Sequence, residues 1–100
     1  MIIIYITNPS KPWARKIAKH LLKKKLIACG NILPSESLYF WKGKLAEEKE
    51  FILLAKTAEN NFSKIKTEVE KIHPYETPCV LKVRTEANKK YSDWLESQIV

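Results

Sequence analysis

Glycine is almost missing from this chain, at two residues in one hundred, and proline supplies only five. That composition excludes collagen-like repeats and low-complexity linkers, and it leaves no glycine-rich loop of the kind that cradles phosphates. Cysteine is equally scarce. Cys29 and Cys79 lie in apolar surroundings without a close-spaced partner. Neither a disulfide scaffold nor a four-ligand zinc module can therefore be built within one chain, and the expected compartment is the reducing cytoplasm. Long apolar runs are lacking too: the longest, Met1 to Ile6, falls far below the ~20 residues of a membrane span. No basic leader precedes it, so the expectation is a soluble, untargeted protein with no membrane partner. No Ser/His/Asp pattern or paired-carboxylate cleft is recognisable, and the chain is expected not to be an enzyme. What it has is core material, 45% hydrophobic side chains in 100 residues, enough for a single domain spanning residues 1–100.

Acid is lacking in one place above all. Eighteen basic against eleven acidic residues give a net charge of +7, and Lys11, Arg15, Lys16, Lys19, Lys23, Lys24 and Lys25 form a stretch with no acid in it. Outside that stretch the charges balance, so the basic character belongs to one segment. It suggests a face for an anion, nucleic acid or an acidic membrane, set against a merely solvated lysine-rich helix. Nucleic acid is the weaker choice because no aromatic stacking motif sits on an exposed strand.

Ile2 to Thr7 reads as a strand apolar on both faces. Asn8, Pro9, Ser10 and Pro12 break it, and Ser10 or Asn8 can cap a helix whose apolar positions are Trp13, Ala14, Ile17, Ala18, Leu21 and Leu22. Leu26 to Trp41 reads as a long strand interrupted or bent at Pro34, Lys42-Gly43-Lys44 as a turn, and Leu45 to Thr57 as the returning strand. Asn60 is the expected cap of a helix to Ile72 with Phe62, Ile65, Val69 and Ile72 inward. His73 and Thr77 each precede a proline, which makes His73 to Pro78 a stiff extended connection. A strand Cys79 to Thr85 follows, then a short helix capped by Asn88 and carrying Tyr91, Trp94 and Leu95.

This order is the α+β, ferredoxin-like βαββαβ sandwich with a short C-terminal helix. Two helices cover one face of a four-stranded sheet, yet Leu38 and Phe40 alternate with Tyr39 and Trp41, and Phe51 and Leu53 with Ile52 and Leu54. The second face calls for cover, and another copy of the chain is the expected one, with a membrane or partner protein as the alternative.

Five separated motifs lie in register with one family. They are Thr7 with Ala14, Ile17 and Ala18; Leu26-Ile27-Ala28-Cys29-Gly30-Asn31-Ile32; Tyr39-Phe40-Trp41-Lys42-Gly43-Lys44 with Lys56-Thr57; His73-Pro74-Tyr75-Glu76-Thr77-Pro78; and Asn88, Tyr91 and Trp94. In these the chain resembles the CutA-type divalent-ion tolerance family, from Ile2 to about Leu95. The resemblance implies a tight homotrimer similar in architecture to PII signalling proteins. It also implies binding of copper(II) or another divalent cation, and a part in metal-ion tolerance. PII-like signalling, or partner or anion binding through the basic first helix, is the alternative. Gly30 departs from the family pattern and is expected to loosen the strand beside Cys29.

Within that resemblance Cys29, His73 and Glu76 are the candidate metal ligands. Thiolate and imidazole suit copper or zinc, a carboxylate completes a mixed shell, and subunit contact would bring them together. Their spacing gives no helix-face pair and no Cys-x-x-Cys, so each also has an ordinary role: a small buried hydrophobe, a helix-terminal imidazole, a solvated carboxylate. Tyr75, Trp41, Tyr39 and Lys56 are further site or interface candidates. Glu47, Glu48 and Glu50 suit a hard cation or a solvated hairpin end, Cys79 reads as buried, and His20 as exposed.

Overall fold

Strict alternation organises the first strand. In the computed structural model, which describes Met1–Val100, β1 is Ile2–Asn8, with Ile2, Ile4, Ile6 and Asn8 buried and Ile3, Tyr5 and Thr7 only half-buried. Asn8 thus continues the strand instead of breaking it: its Nδ2 donates to the carbonyls of Ile6 and Phe51, each at 3.1 Å. The chain then enters α1, Lys11–Lys23, where the Trp13 amide donates to Ser10 Oγ at 3.3 Å. Ser10 is the cap, and Pro12 sits in the first turn, where its missing N–H has no partner to lose. Ala14, Ile17, Ala18 and Leu21 form the buried stripe, while Trp13 is half-buried and Leu22 exposed at its margins.

Strands β2, Cys29–Trp41, and β3, Lys44–Thr57, form one long hairpin. Its two-residue turn places Lys42 at φ 50° and Gly43 at φ 79°, the left-handed pair that matches the twist of the flanking strands. The expected interruption at Pro34 does not occur, since the register runs unbroken from Cys29 opposite Lys56 to Trp41 opposite Lys44. The strand order β2-β3-β1-β4 puts β2 on the edge, where alternate N–H groups have no ladder partner and proline is tolerated. Gly30 does not loosen the strand either. A Cβ there would lie 2.9 Å from Leu53 Cδ1, so the glycine admits the Leu53 side chain.

Asn60 does not cap the second helix. One 3-10 turn, Glu59–Asn61, precedes α2, Phe62–Ile72, and Asn61 spends its side chain on tertiary contacts instead. Its Nδ2 lies 3.3 Å from the Leu26 carbonyl, 3.2 Å from Thr57 Oγ1 and 3.4 Å from the Val100 carbonyl. Thr57 Oγ1 itself donates to the Leu26 carbonyl at 2.6 Å, and the Val100 amide donates to the Lys25 carbonyl at 2.9 Å. β4, Val80–Arg84, pairs with β1, and α3, Lys89–Gln98, buries Leu95.

The result is a ferredoxin-like α+β fold: a four-stranded antiparallel sheet with α1 and α2 over one face. Ile2, Ile4, Ile6, Leu53 and Ala55 meet Ile17, Leu21, Ile65 and Val69 in the core. The other face and the hairpin end stay open. Leu81 and Val83 are 52% and 50% exposed, and Phe40 is 76% exposed. The projecting hairpin stretches the molecule to 45 × 25 × 21 Å. No helix is long and apolar enough to cross a membrane.

Candidate functional site

The segment after α2 begins where proline forces it to. His73 has ψ 140°, the extended backbone demanded ahead of Pro74, while its amide still donates to the Val69 carbonyl at 2.8 Å. The imidazole turns back under the sheet end and is 9% exposed. Nε2–H donates to the Thr7 carbonyl at 2.8 Å, and Nδ1 accepts the Tyr75 amide at 3.1 Å. Both ring nitrogens are therefore engaged, which fixes the neutral tautomer protonated on Nε2. Burial holds the pKa of His73 below its ordinary value, against the opposing pull of the Thr7 carbonyl and Glu50.

Tyr75 joins this post to the hairpin. Its ring lies 4.8 Å from the His73 ring, and its hydroxyl donates to Glu50 Oε2 at 2.5 Å. Glu50 is only 5% exposed, so it is no solvated tip residue: a buried carboxylate needs such a donor. Burial and then the Glu50 carboxylate raise the Tyr75 pKa well above the phenol range. Above this pair opens a cleft of about 500 Å³, lined on the hairpin side by Tyr39, Trp41, Glu48 and Glu50 and on the loop side by Tyr75 and Glu76. Thr7, Ser37, Ala46, Thr77 and Cys79 complete its wall. Burial, with Glu50 nearby, raises the Cys79 thiol pKa and keeps it protonated and weakly nucleophilic.

Four of the sequence candidates, Tyr39, Trp41, Tyr75 and Glu76, thus meet in one cleft, with His73 tied to its loop wall. Cys29 and Lys56 do not join them. They face each other across the β2/β3 ladder, while His73 is bonded to Thr7, opposite Ile52. Four residues of β3 separate the two places, roughly 13 Å at the usual rise. Cys29 Sγ has Asn31 Oδ1 at 4.0 Å, and the Lys56 ammonium lies 5.4 Å from the Tyr91 ring centroid, fastening α3 to the sheet. A single chain brings no three His, Cys, Asp or Glu side chains close enough to hold a metal ion. The donors lining the cleft are chiefly oxygens, those of Glu48, Glu50, Glu76, Tyr39 and Tyr75, the ligand type that hard divalent cations take. Sequence reasoning passed over Thr7 and Cys79 as parts of this site, and it offered Glu50 to a hard cation or a solvated hairpin end without joining it to Tyr75. The signal for Glu50 was its parity with Ile52 and Leu54, a carboxylate in line with a buried and a half-buried apolar position on one strand face.

A family model described as CutA1 divalent ion tolerance protein matches residues 2–98. The chain is 41% identical over 97 residues to the divalent-cation tolerance protein CutA of Archaeoglobus fulgidus, covering 96% of this chain and 95% of that one. Among solved structures, a substituted form of CutA1 from Pyrococcus horikoshii OT3 superposes with a TM-score of 0.97 at 36% identity, over 100% of this chain and 99% of that one. A protein described as PII-like CutA, from Nostoc sp. PCC 7120, superposes with a TM-score of 0.92 at 26% identity, over 100% and 98% of the two chains.

Proposed function

The chain belongs to the CutA1 divalent ion tolerance family, and from that premise we propose that it is a divalent-metal-binding protein that works as a homotrimer and takes up copper(II). The observation that carries this reading is the cleft's position. Carboxylates of Glu48, Glu50 and Glu76 stand beside Tyr39 and Trp41, which are 38% and 45% exposed at the open end of the hairpin. Apolar surface of that size next to an incomplete set of oxygen donors suits a neighbouring protomer that covers the one and completes the other. Glu76 then supplies an oxygen from the loop. Cys29 enters from a neighbouring protomer, and His73 enters through Nδ1 only by releasing the Tyr75 amide. The protein binds rather than catalyses, a reading supported by the raised pKa of Cys79, which leaves the cleft's thiol protonated and weakly nucleophilic. The cytoplasm is the proposed compartment, supported by two unpaired thiols.

The test is light scattering of metal-free protein followed by calorimetric titration with copper(II), for the parent and for Glu76→Gln, Cys29→Ser and His73→Ala. A trimer whose affinity falls about tenfold or more in Glu76→Gln and Cys29→Ser supports the reading, tenfold being 1.4 kcal/mol. A monomer, or copper binding indifferent to all three changes, overturns it. A second reading, ligand-responsive signalling, is favoured by the likeness to the PII-like protein of Nostoc, and a trimer that ignores copper would promote it.

A further inference from the structure

The outer face of α1 carries charge that the fold leaves uncompensated. Lys11, Arg15, Lys19 and Lys23 recur every fourth residue, about 6 Å apart along the axis, so the row extends roughly 18 Å. Like charges at this spacing repel and weaken a helix. One carboxylate answers the basic segment, and it stands to one side: Glu68 of α2 takes Lys24 at 2.8 Å and His20 at 2.9 Å. Lys11, Arg15, Lys16, Lys19 and Lys23 have no carboxylate within ion-pairing distance. Arg15, Lys16, Lys19, His20 and Lys23 instead border a shallow groove of about 590 Å³, with Ile72 as its one hydrophobic wall.

We propose that this groove binds a soluble phosphate chain, an inorganic polyphosphate in class, along the axis of α1. The partner must be anionic, and the surroundings narrow its shape. A bilayer would be held by charge alone, with no apolar face free to add to it, because Ala14, Ile17, Ala18 and Leu21 are buried against the sheet. Unpaired bases would need an aromatic platform, and Trp13 is half-buried beneath the Lys16 ammonium, 4.5 Å from its ring centroid. A broad duplex meets Glu68 at the border of a strip one helix wide. A thin flexible chain of phosphates requires only the row of cations. The face lies on the helical side of the sheet, away from the open face on which the trimer proposal rests, so the two proposals stand or fall separately.

The measurement is calorimetric titration of the metal-free full chain with inorganic tripolyphosphate and a longer polyphosphate, at several salt concentrations. Parallel titrations use duplex DNA and anionic phospholipid vesicles. The parent is compared with a triple variant, Arg15→Gln, Lys19→Gln and Lys23→Gln, and with a control of equal charge, Lys44→Gln, Lys64→Gln and Lys90→Gln. The expected result is polyphosphate affinity that falls with salt, drops at least tenfold in the α1 variant with a shallower salt dependence, and holds within about threefold in the control. Melting temperature should stay level or rise in the α1 variant as repulsion is relieved, which separates lost binding from lost folding. No binding at low salt, equal losses in both variants, or tighter binding of duplex or vesicles would overturn the proposal.

Discussion

The two faces of the sheet are built from similar residues and have opposite fates. Ile4, Ile6 and Leu53 are fully buried under α1 and α2, whereas Leu81 and Val83, also on sheet strands, stay half exposed. Strand alternation distributes apolar side chains to both faces, but two helices cover only one. Burial in this molecule follows from cover, and hydrophobicity alone does not predict it.

The contrast can be broken most forcefully from the covered side. Leu53→Ala should cost about 3 kcal/mol of folding stability, because the buried cavity cannot close. Leu81→Ala should leave the folding of the isolated chain within about 0.5 kcal/mol of the parent. Urea midpoints at several protein concentrations check both, and in the trimer reading the Leu81→Ala effect appears as a concentration dependence. Equal, concentration-independent losses would erase the distinction between the faces.

Next in size is the junction of loop and hairpin. Tyr75→Phe removes the donor to the buried Glu50 carboxylate and should cost about 2 kcal/mol in denaturant titration. A loss indistinguishable from zero would mean that water serves Glu50 equally well. At the hairpin turn, Lys42→Asn should raise stability by about 0.5 kcal/mol, since asparagine accepts the left-handed backbone with less strain than lysine. Thermal melting checks it, and a fall would show that Lys42 contributes something other than its conformation.

The smallest effect shows only in acid. Lys24, first, and then His20 hold the Glu68 carboxylate at about 2, below its ordinary 4.5. A depressed carboxylate pKa means that the unfolded chain binds the proton first, so this stabilisation is complete above about pH 4.5 and is lost as pH falls towards 2. Melting temperature followed across that window should fall less steeply in Glu68→Gln than in the parent.

Most of the fold was legible in the sequence because periodicity reports burial directly. The apolar run of β1, the four-residue recurrence through α1 and the proline-bounded His73–Pro78 segment fall where their patterns place them, although Trp13 and Leu22 lie at the margins of the buried stripe. The alternating burial of β1 shows only once the sheet has formed. Legibility failed where a residue's role depends on a distant neighbour. Pro34 looked like a break because its edge position is a property of the sheet. Asn60 looked like a cap because the attachment of Asn61 to Leu26 and Val100 spans the whole chain. The cleft was half legible: the loop announced Tyr75 and Glu76, but Glu50 acquires its meaning only when Tyr75 reaches it. His20 looked exposed until α2 supplied Glu68.

The Asn61 amide gathers three acceptors with only two hydrogens to give. Thr57 Oγ1 and the Leu26 carbonyl lie nearer than the Val100 carbonyl, so the last residue holds the weakest claim on a shared donor. Val100 is therefore the contact that Asn61 can give up first. Its release leaves Asn61 still satisfied by the two inner oxygens, and hydrogen exchange should find the Val100 amide opening well before the sheet it closes over.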